Sequence, residues 1–478
     1  MKFHLFDTLS RTKLSVEPSD GKALRIYCCG PTVYGPAHIG NFRTFVLQDL
    51  LRRVVELSGF KMKHVRNITD LDDKTIRQSQ AEGKSLKEFT TYWYNRFAKD
   101  CELLNLLKPH VEPSAVNHIA EQIHLIQKLM EKGHAYVGGD GSVYFSISSF
   151  KHYGRLAHLD EQELRIGSAD SLNNNDEYEK EQLADFALWK AYRKDDGDNT
   201  WDSPWGKGRP GWHLECSAMS MKYLGDDFDL HSGGVDLIFP HHENEIAQSE
   251  CCTGKRFCRH WFHVAHLMVD GGKMSKRLGN LYTLEDILAK GFSPMDMRYV
   301  LMRGHYRQTL NFTLDTLHAA QQALLKIKKI VDLLLDKGTL KSLPSYQQQV
   351  KKPLEHLGLF QQAWEALLDD LKTPEADGKL FTGLRDVEKE IAKGDINSDQ
   401  ANEWLNQIAF ILNAMGLELP RVVEEVAPDE IKAFAEERWT AKLAKDWARA
   451  DELRLKIESL GWTTKDSKTE YRLARLKN

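Results

Sequence analysis

A chain of 478 residues, 41% hydrophobic and 28% charged, has the composition of a soluble globular protein and is long enough for roughly two to four domains. Its formal net charge of −4 excludes a general basic field, so any nucleic-acid contact must be a local patch. No run approaches the roughly 18 apolar residues of a membrane span, and seven cysteines, an odd count, argue for a reducing cytoplasm over a disulfide framework.

Residues 1–7 lack the apolar core of a signal peptide. Residues 24–29 read as a strand, stopped by Gly30 and Pro31. After a loop, Phe42, Phe45, Val46, Asp49, Leu50, Val54 and Leu57 recur at helical spacing. Strand, glycine-bearing loop and helix open a nucleotide-binding α/β unit, and the free N–H groups at that helix start suit a phosphate. His38 and Asn41 stand there, placed to hydrogen-bond a triphosphate. Residues 62–68 read as the next strand, and the acids that follow, Asp70, Asp72 and Asp73, read as helix caps. A helix is expected within residues 113–132, ending at Gly133. From about 135 to 193 the pattern breaks into short strands and a polar loop at 172–178, an insertion into the α/β domain. The parallel sheet resumes around residues 228–231.

The densest chemistry lies in residues 205–248. Cys216, His241, His242 and Glu245 are all residue types that bind borderline-soft metals. Pro240 suits a first helical turn, and a helix from there puts His241 and Glu245 four apart on one face. With a thiolate from Cys216 that makes three ligands, and zinc usually takes a fourth from elsewhere. The zinc-protease motif does not fit, because Ile246 stands four residues after His242.

Cys251, Cys252, Cys258 and His260 lack metal-ligand spacing and read as buried thiols and a local histidine. A glycine-containing turn then leads into Lys273, Met274, Ser275, Lys276 and Arg277, whose lysines can neutralise charge on a transferring phosphate. From Leu310 the chain reads as a helix bundle, with Leu317, Ala320, Leu324, Leu325, Ile327, Ile330, Val331 and Leu334 at near-helical spacing. Helical spacing continues through residues 346–371 and 402–415. Residues 420–428 look like a linker. The tail from Arg438 holds eleven Lys/Arg and six Asp/Glu, a net of +5, which suits a nucleic-acid contact.

His38-Ile39-Gly40-Asn41 together with Lys273-Met274-Ser275-Lys276-Arg277 resembles the two signature motifs of class I aminoacyl-tRNA synthetases. The stretches Gly211 to Cys216 and Phe239 to Glu245 narrow the resemblance to the cysteinyl-tRNA synthetase family, over nearly the whole chain. That resemblance implies one zinc per chain, held by Cys29, Cys216, His241 and Glu245. Cys29 is chosen over Cys28 because the family's cysteine directly precedes the glycine, here Gly30. Asn41 stands where the family usually has histidine; it donates a hydrogen bond but carries no charge. His38, Asn41, Lys273 and Lys276 are the implied catalytic residues, with His38, Asn41 and Lys276 on ATP and its Mg²⁺. Cys29, Thr69, Trp212, His231 and Asp236 are the implied cysteine-site residues.

The expected architecture is α/β. A Rossmann-like class I catalytic domain spans 1–265, with an insertion at about 120–200, and a loop and stem-contact region spans 266–310. A helical bundle at 311–419 and a basic tRNA (anticodon) contact module at 429–478 follow. The expected activity is ATP-dependent ligation of L-cysteine to its tRNA through a cysteinyl-adenylate, by a cytoplasmic monomer that needs no membrane. A cysteine ligase acting on a sugar amine and a non-catalytic RNA-binding relative are the alternatives.

Overall fold

The computed structural model describes residues 2–159, 185–274, 279–394, 396–419, 427–466 and 471–475. Lys276 and the polar loop at 172–178 lie outside the described residues. The chain divides into two compact units, Met1–Leu419 and Pro420–Asn478.

At the centre of the first unit lies a four-stranded parallel sheet. Its order is Cys258–Val264, Phe228–Gly234, Ala23–Cys28, Lys61–Arg66. The chain therefore builds outward from Ala23–Cys28 to one side, then returns to build on the other. The crevice between the carboxyl ends of Ala23–Cys28 and Phe228–Gly234 is a topological switch point, where open α/β sheets bind their ligands.

Side chains alternate across a strand. Leu24, Ile26 and Cys28 enter one hydrophobic cluster, with the Ile39–Leu57 helix and the C-terminal helices of this unit. Tyr27 and Cys29 enter a second cluster, with the Trp212–Leu224 and Glu243–Thr253 helices and the insertion. All seven positions with helical spacing from Phe42 to Leu57 are buried. Asp72 caps the Asp73–Ala81 helix, accepting from the Lys74 N–H, so capping is the role of at least this acid.

The insertion is an antiparallel sheet of Ala135–Val137, Val143–Phe145, Phe186–Ala191 and Gly208–Pro210, preceded by the Ile119–Glu131 helix.

Leu310, expected to open the helical region, instead begins a short strand. Leu310–Phe312 pairs in parallel with Leu267–Val269, and the long helix Leu314–Lys337 starts only after Thr313 caps it. The stretch 346–371 is not one helix but Tyr346–Lys351 and Gln361–Leu368, with Pro353 in the break. Thr373–Lys393, which the periodicity passed over, and Ser398–Met415 complete the bundle.

One buried ion cluster ties this bundle to the catalytic sheet. Asp49, on the Ile39–Leu57 helix, accepts from Arg53 Nε at 2.7 Å, Arg298 Nη2 at 2.5 Å and the Leu107 N–H at 2.7 Å. Arg298 also donates to the carbonyls of Met415 and Leu104.

The second unit has its own small core of Ala427, Ile431, Ala435, Ile457 and Trp462. Helices Asp429–Leu443 and Trp447–Ser459 pack together, followed by the hairpin Trp462–Asp466 with Tyr471–Arg475. Arg438 closes it with a bidentate pair to Asp466 at 2.9 and 3.0 Å.

Candidate active site

Two sequence signatures more than 200 residues apart meet beside the sheet. His38 caps the Ile39–Leu57 helix: its Nδ1 accepts from the Asn41 N–H at 3.2 Å, and Asn41 Oδ1 accepts from the His38 N–H at 3.1 Å. This is a capping box, and asparagine at the third helical position closes it. The Ile39 N–H is bonded to the Tyr282 carbonyl, just past the second signature. A Cβ on Gly40 would lie 2.2 Å from Cε of Met274. A side chain at Gly40 would make the end of that methionine, part of the second signature, swing away from the helix start. Lys273 is exposed, and its carbonyl accepts from Asn280.

The metal-ligand types converge at the switch point. Cys29 comes from the turn after Ala23–Cys28, Cys216 from the Trp212–Leu224 helix, His241 from the turn Ile238–His242 and Glu245 from the helix Glu243–Thr253 that follows it. Phe239 is extended (φ −137°, ψ 134°), and the residues after it turn helical into Glu243–Thr253. The two sulfurs stand 3.9 Å apart, Cys29 Sγ is 3.9 Å from Glu245 Oε1, and His241 Nε2 is 3.1 Å from the same oxygen. One donor atom from each of the four residues lies within 4.8 Å of every other, and all four residues are buried.

A second set, Cys29, His231, His242 and Glu245, meets the same distance condition. Its imidazoles already have hydrogen-bond partners. His231 Nε2 bonds Glu245 Oε2 at 2.8 Å, and His242 Nδ1 bonds His263 at 2.8 Å. His242 Nε2 itself faces Cys29 Sγ at 3.3 Å, so the sets differ chiefly at His231, whereas the first set also has partners on the outer atoms of its ligands. His213 Nδ1 lies 3.0 Å from His241 Nδ1, and His231 holds the far oxygen of Glu245. Partners on the outer atoms of the ligands orient metal sites in this way.

Burial and mutual contact shift the ionisation of all four groups. Burial alone would raise the Glu245 carboxyl, but His231 and His241 override it and hold it down at about 2. Burial would lower His241, yet Glu245 and Cys216 raise it to about 10. Burial opposes ionisation of both thiols. A hydrogen bond from Cys29 brings Cys216 down to about 6, while Cys29 itself is pushed well up. A divalent cation lets both sulfurs ionise beside a carboxylate. Two sulfurs, one imidazole and one carboxylate are donors that suit zinc, so the residues fit the metal.

The remaining expected residues are placed as follows. Trp212 stacks on His241, ring centres 4.2 Å apart and planes 25° apart. His231 is wholly buried, stacked on Trp261 and edge-on to Tyr27. Strand register produces that slot, because Tyr27 and Trp261 are its cross-strand partners. Thr69 Oγ1 donates to Glu215 at 3.0 Å. Asp236 is exposed on the short turn Val235–Leu237 and folds back toward Gly234. Cys251 and Cys252 are buried thiols, Cys258 donates to the His260 carbonyl, and His260 bonds the Phe6 carbonyl.

Sequence reasoning passed over Tyr27, His213, Glu215 and His263. His213 had a signal, since it sits one turn before Cys216 on the same helix face. Tyr27 shares strand parity with Cys29. Nothing local marks His263.

The sequence profile of the family described as tRNA synthetases class I (C) catalytic domain matches residues 15–322. The Mycobacterium tuberculosis methionyl-tRNA synthetase in complex with methionyl-adenylate shares the fold with a TM-score of 0.57 at 13% identity, over 82% of this chain and 90% of that one. A putative arginyl tRNA synthetase from Campylobacter jejuni does so with a TM-score of 0.51 at 14% identity, over 84% and 93%. A parallel sheet with two signatures meeting beside it is the catalytic fold of a class I aminoacyl-tRNA synthetase. Among curated relatives, the cysteine–tRNA ligase of Opitutus terrae is 52% identical over 479 residues, covering 99% of each chain. That of Chlamydia muridarum is 43% identical over 487 residues, covering 100% of each. The chain belongs to the cysteine–tRNA ligase family.

Proposed function

We propose that this enzyme joins L-cysteine to its cognate tRNA in two steps at the expense of ATP. In the first, a carboxylate oxygen of cysteine attacks the α-phosphorus of ATP, forming cysteinyl-adenylate and releasing pyrophosphate. In the second, the terminal ribose hydroxyl of tRNA attacks the activated carbonyl and AMP leaves. The first step needs positioning and charge neutralisation more than covalent catalysis. His38 and Asn41, at the start of a helix, receive the phosphates and ribose. Lys273 and Lys276 close over the triphosphate, which magnesium accompanies.

Cys29, Cys216, His241 and Glu245 hold one zinc per chain. Bound there, zinc prefers a soft thiolate to a hydroxyl, which separates cysteine from serine without an editing site. Trp212 walls the side-chain pocket. Thr69 and Asp236 surround the amino and carboxylate groups, and His231 acts on the site through Glu245. The basic module at 429–478 contacts the anticodon end of the tRNA. The segment 266–310 serves the acceptor stem. Among the described residues no helix is long and apolar enough to cross a membrane. All seven cysteines are free, in keeping with a reducing cytoplasm, where the chain is proposed to act as a monomer.

The observation that carries this reading is the buried convergence of two sulfurs, one imidazole and one carboxylate at the switch point. Cysteine-dependent ATP–pyrophosphate exchange, with metal content measured on the same protein, tests it. The purified chain is expected to hold one zinc, and Cys29→Ser to lower zinc content, weaken cysteine activation and erode discrimination against serine. Full exchange activity in metal-free protein would sink the zinc assignment.

A further inference from the structure

The two thiols of the candidate metal centre come from segments 187 residues apart, and neither segment holds the other by its sulfur alone. A continuous buried hydrogen-bond relay joins them through the backbone. The Gly30 N–H, next to Cys29, donates to Asn67 Oδ1 at 2.8 Å. Asn67 Nδ2 donates to Thr69 Oγ1 at 3.0 Å. Thr69 Oγ1 donates to Oε2 of Glu215, next to Cys216, at 3.0 Å. Asn67, Thr69 and Glu215 are each no more than 2% exposed.

The relay runs one way. The Asn67 amide spends its acceptor on one side and its donor on the other. The Thr69 hydroxyl accepts from Asn67 and donates to Glu215, so it belongs to both links. The strand that carries the relay is itself anchored: the Thr69 N–H bonds the Pro31 carbonyl, and the Val33 N–H bonds the Thr69 carbonyl. On its other edge the Cys29 N–H bonds the Ser232 carbonyl. Cys29 is thereby fixed between two strands, and the relay ties its segment to the helix of Cys216 beside the metal-ligand types, adding to the hydrogen bond from Arg25 to the Leu224 carbonyl and to the apolar packing around Tyr27 and Leu214.

We propose that Asn67, Thr69 and Glu215 are positioning residues that set the spacing of Cys29 and Cys216. They touch no ligand atom of the centre; they hold the two chain segments at the separation a shared cation requires. The proposal rests on the zinc reading above, and goes beyond it by assigning the pre-organisation of the site to residues outside the ligand set. Partners of this kind change metal affinity by about 10- to 100-fold.

The test compares Thr69→Val, which keeps the side-chain shape and breaks two links, with Thr69→Ser, which keeps the hydroxyl. Asn67→Asp, which accepts from Gly30 but cannot donate to Thr69, is the second break. Zinc affinity of the full chain is read by competition with a chromophoric chelator. Spacing is read without zinc, from capture of a trivalent aryl arsenical by chelator-treated protein, located on the Cys29 and Cys216 peptides by mass. Thermal melting reports fold. Thr69→Val and Asn67→Asp should lose about 10- to 100-fold in zinc affinity and most of the arsenical bridge. Thr69→Ser should restore both. Affinity within twofold of the parent in both breaking variants, with undiminished bridging, overturns the proposal. A parent chain that binds no zinc would defeat the metal reading instead, and the arsenical result alone would then decide the spacing.

Discussion

A methyl group on Gly30 would fall 1.6 Å from the carbonyl oxygen of Asn67. That oxygen belongs to backbone, so the turn carrying Cys29 would have to move. Gly30→Ala is therefore expected to cost about 1–3 kcal/mol of stability, the usual range for overpacking, and to strip zinc from the chain. Denaturant midpoints and zinc per chain measure the two effects; normal zinc content would show that the turn tolerates the shift. The same scale explains the choice between two adjacent cysteines. Neighbours on a strand point to opposite faces. Cys28 enters the apolar cluster on the bundle side, where burial pushes its thiol up. Cys29 enters the face that holds Glu245 and His241.

The Ile39–Leu57 helix serves two ends. Its start is capped by His38 and Asn41, and its middle carries Asp49 into the buried ion cluster with Arg53 and Arg298. Burial would raise the Asp49 carboxyl, but the two guanidiniums override it and hold it at about 2, below its ordinary 3.8. A carboxyl depressed on folding contributes stability above its unfolded value and loses it as pH falls through its folded one. That contribution should fade between about pH 4 and pH 2. Asp49→Asn leaves two buried cations uncompensated and should cost about 3–5 kcal/mol, read from denaturant midpoints at neutral pH. The variant should also lose the parent's extra acid sensitivity in that window; identical acid profiles would count against the cluster. The lysine loop makes a different demand on its element. Lys276 is proposed to meet charge that develops on the phosphates, so Lys276→Ala should slow pyrophosphate exchange at saturating cysteine and ATP while leaving metal content intact. An unchanged rate would make it an ordinary surface lysine.

The chain divides into two compact units, and the basic charge of the second is confined to its end, since residues 420–437 hold two Lys/Arg and six Asp/Glu. The tail from Arg438 carries +5 in a chain whose total is −4. Everything proposed for cysteine activation lies within Met1–Leu419, which has its own core, and the second unit has another. A chain ending at Leu419 should therefore exchange pyrophosphate with cysteine as well as the parent. It should charge tRNA poorly and with a shallower dependence on salt, because phosphate contacts are lost. Both activities, measured across a salt series on the two chains, decide this. Equal charging would remove the tail as an RNA contact.

What the sequence determined by itself is what short-range geometry controls. The spacing of His241 and Glu245, the strand ahead of Gly30, the capping position of Asp72 and the apolar face from Phe42 to Leu57 are consequences of period and turn chemistry. So is the opposition of Cys28 and Cys29, although which of them meets the other ligands is not. That depended on which face of the sheet receives the Glu243–Thr253 helix. His231 took its place beside Glu245 through register with Tyr27 and Trp261, strands set far apart in the chain. Leu310–Phe312 became a strand only because Leu267–Val269 lay open to pair with it. Asn67, Thr69 and Glu215 form a relay that no local pattern announces. Pairing and burial are long-range agreements between segments, so a local period proposes an element, while the partner it finds decides what that element does.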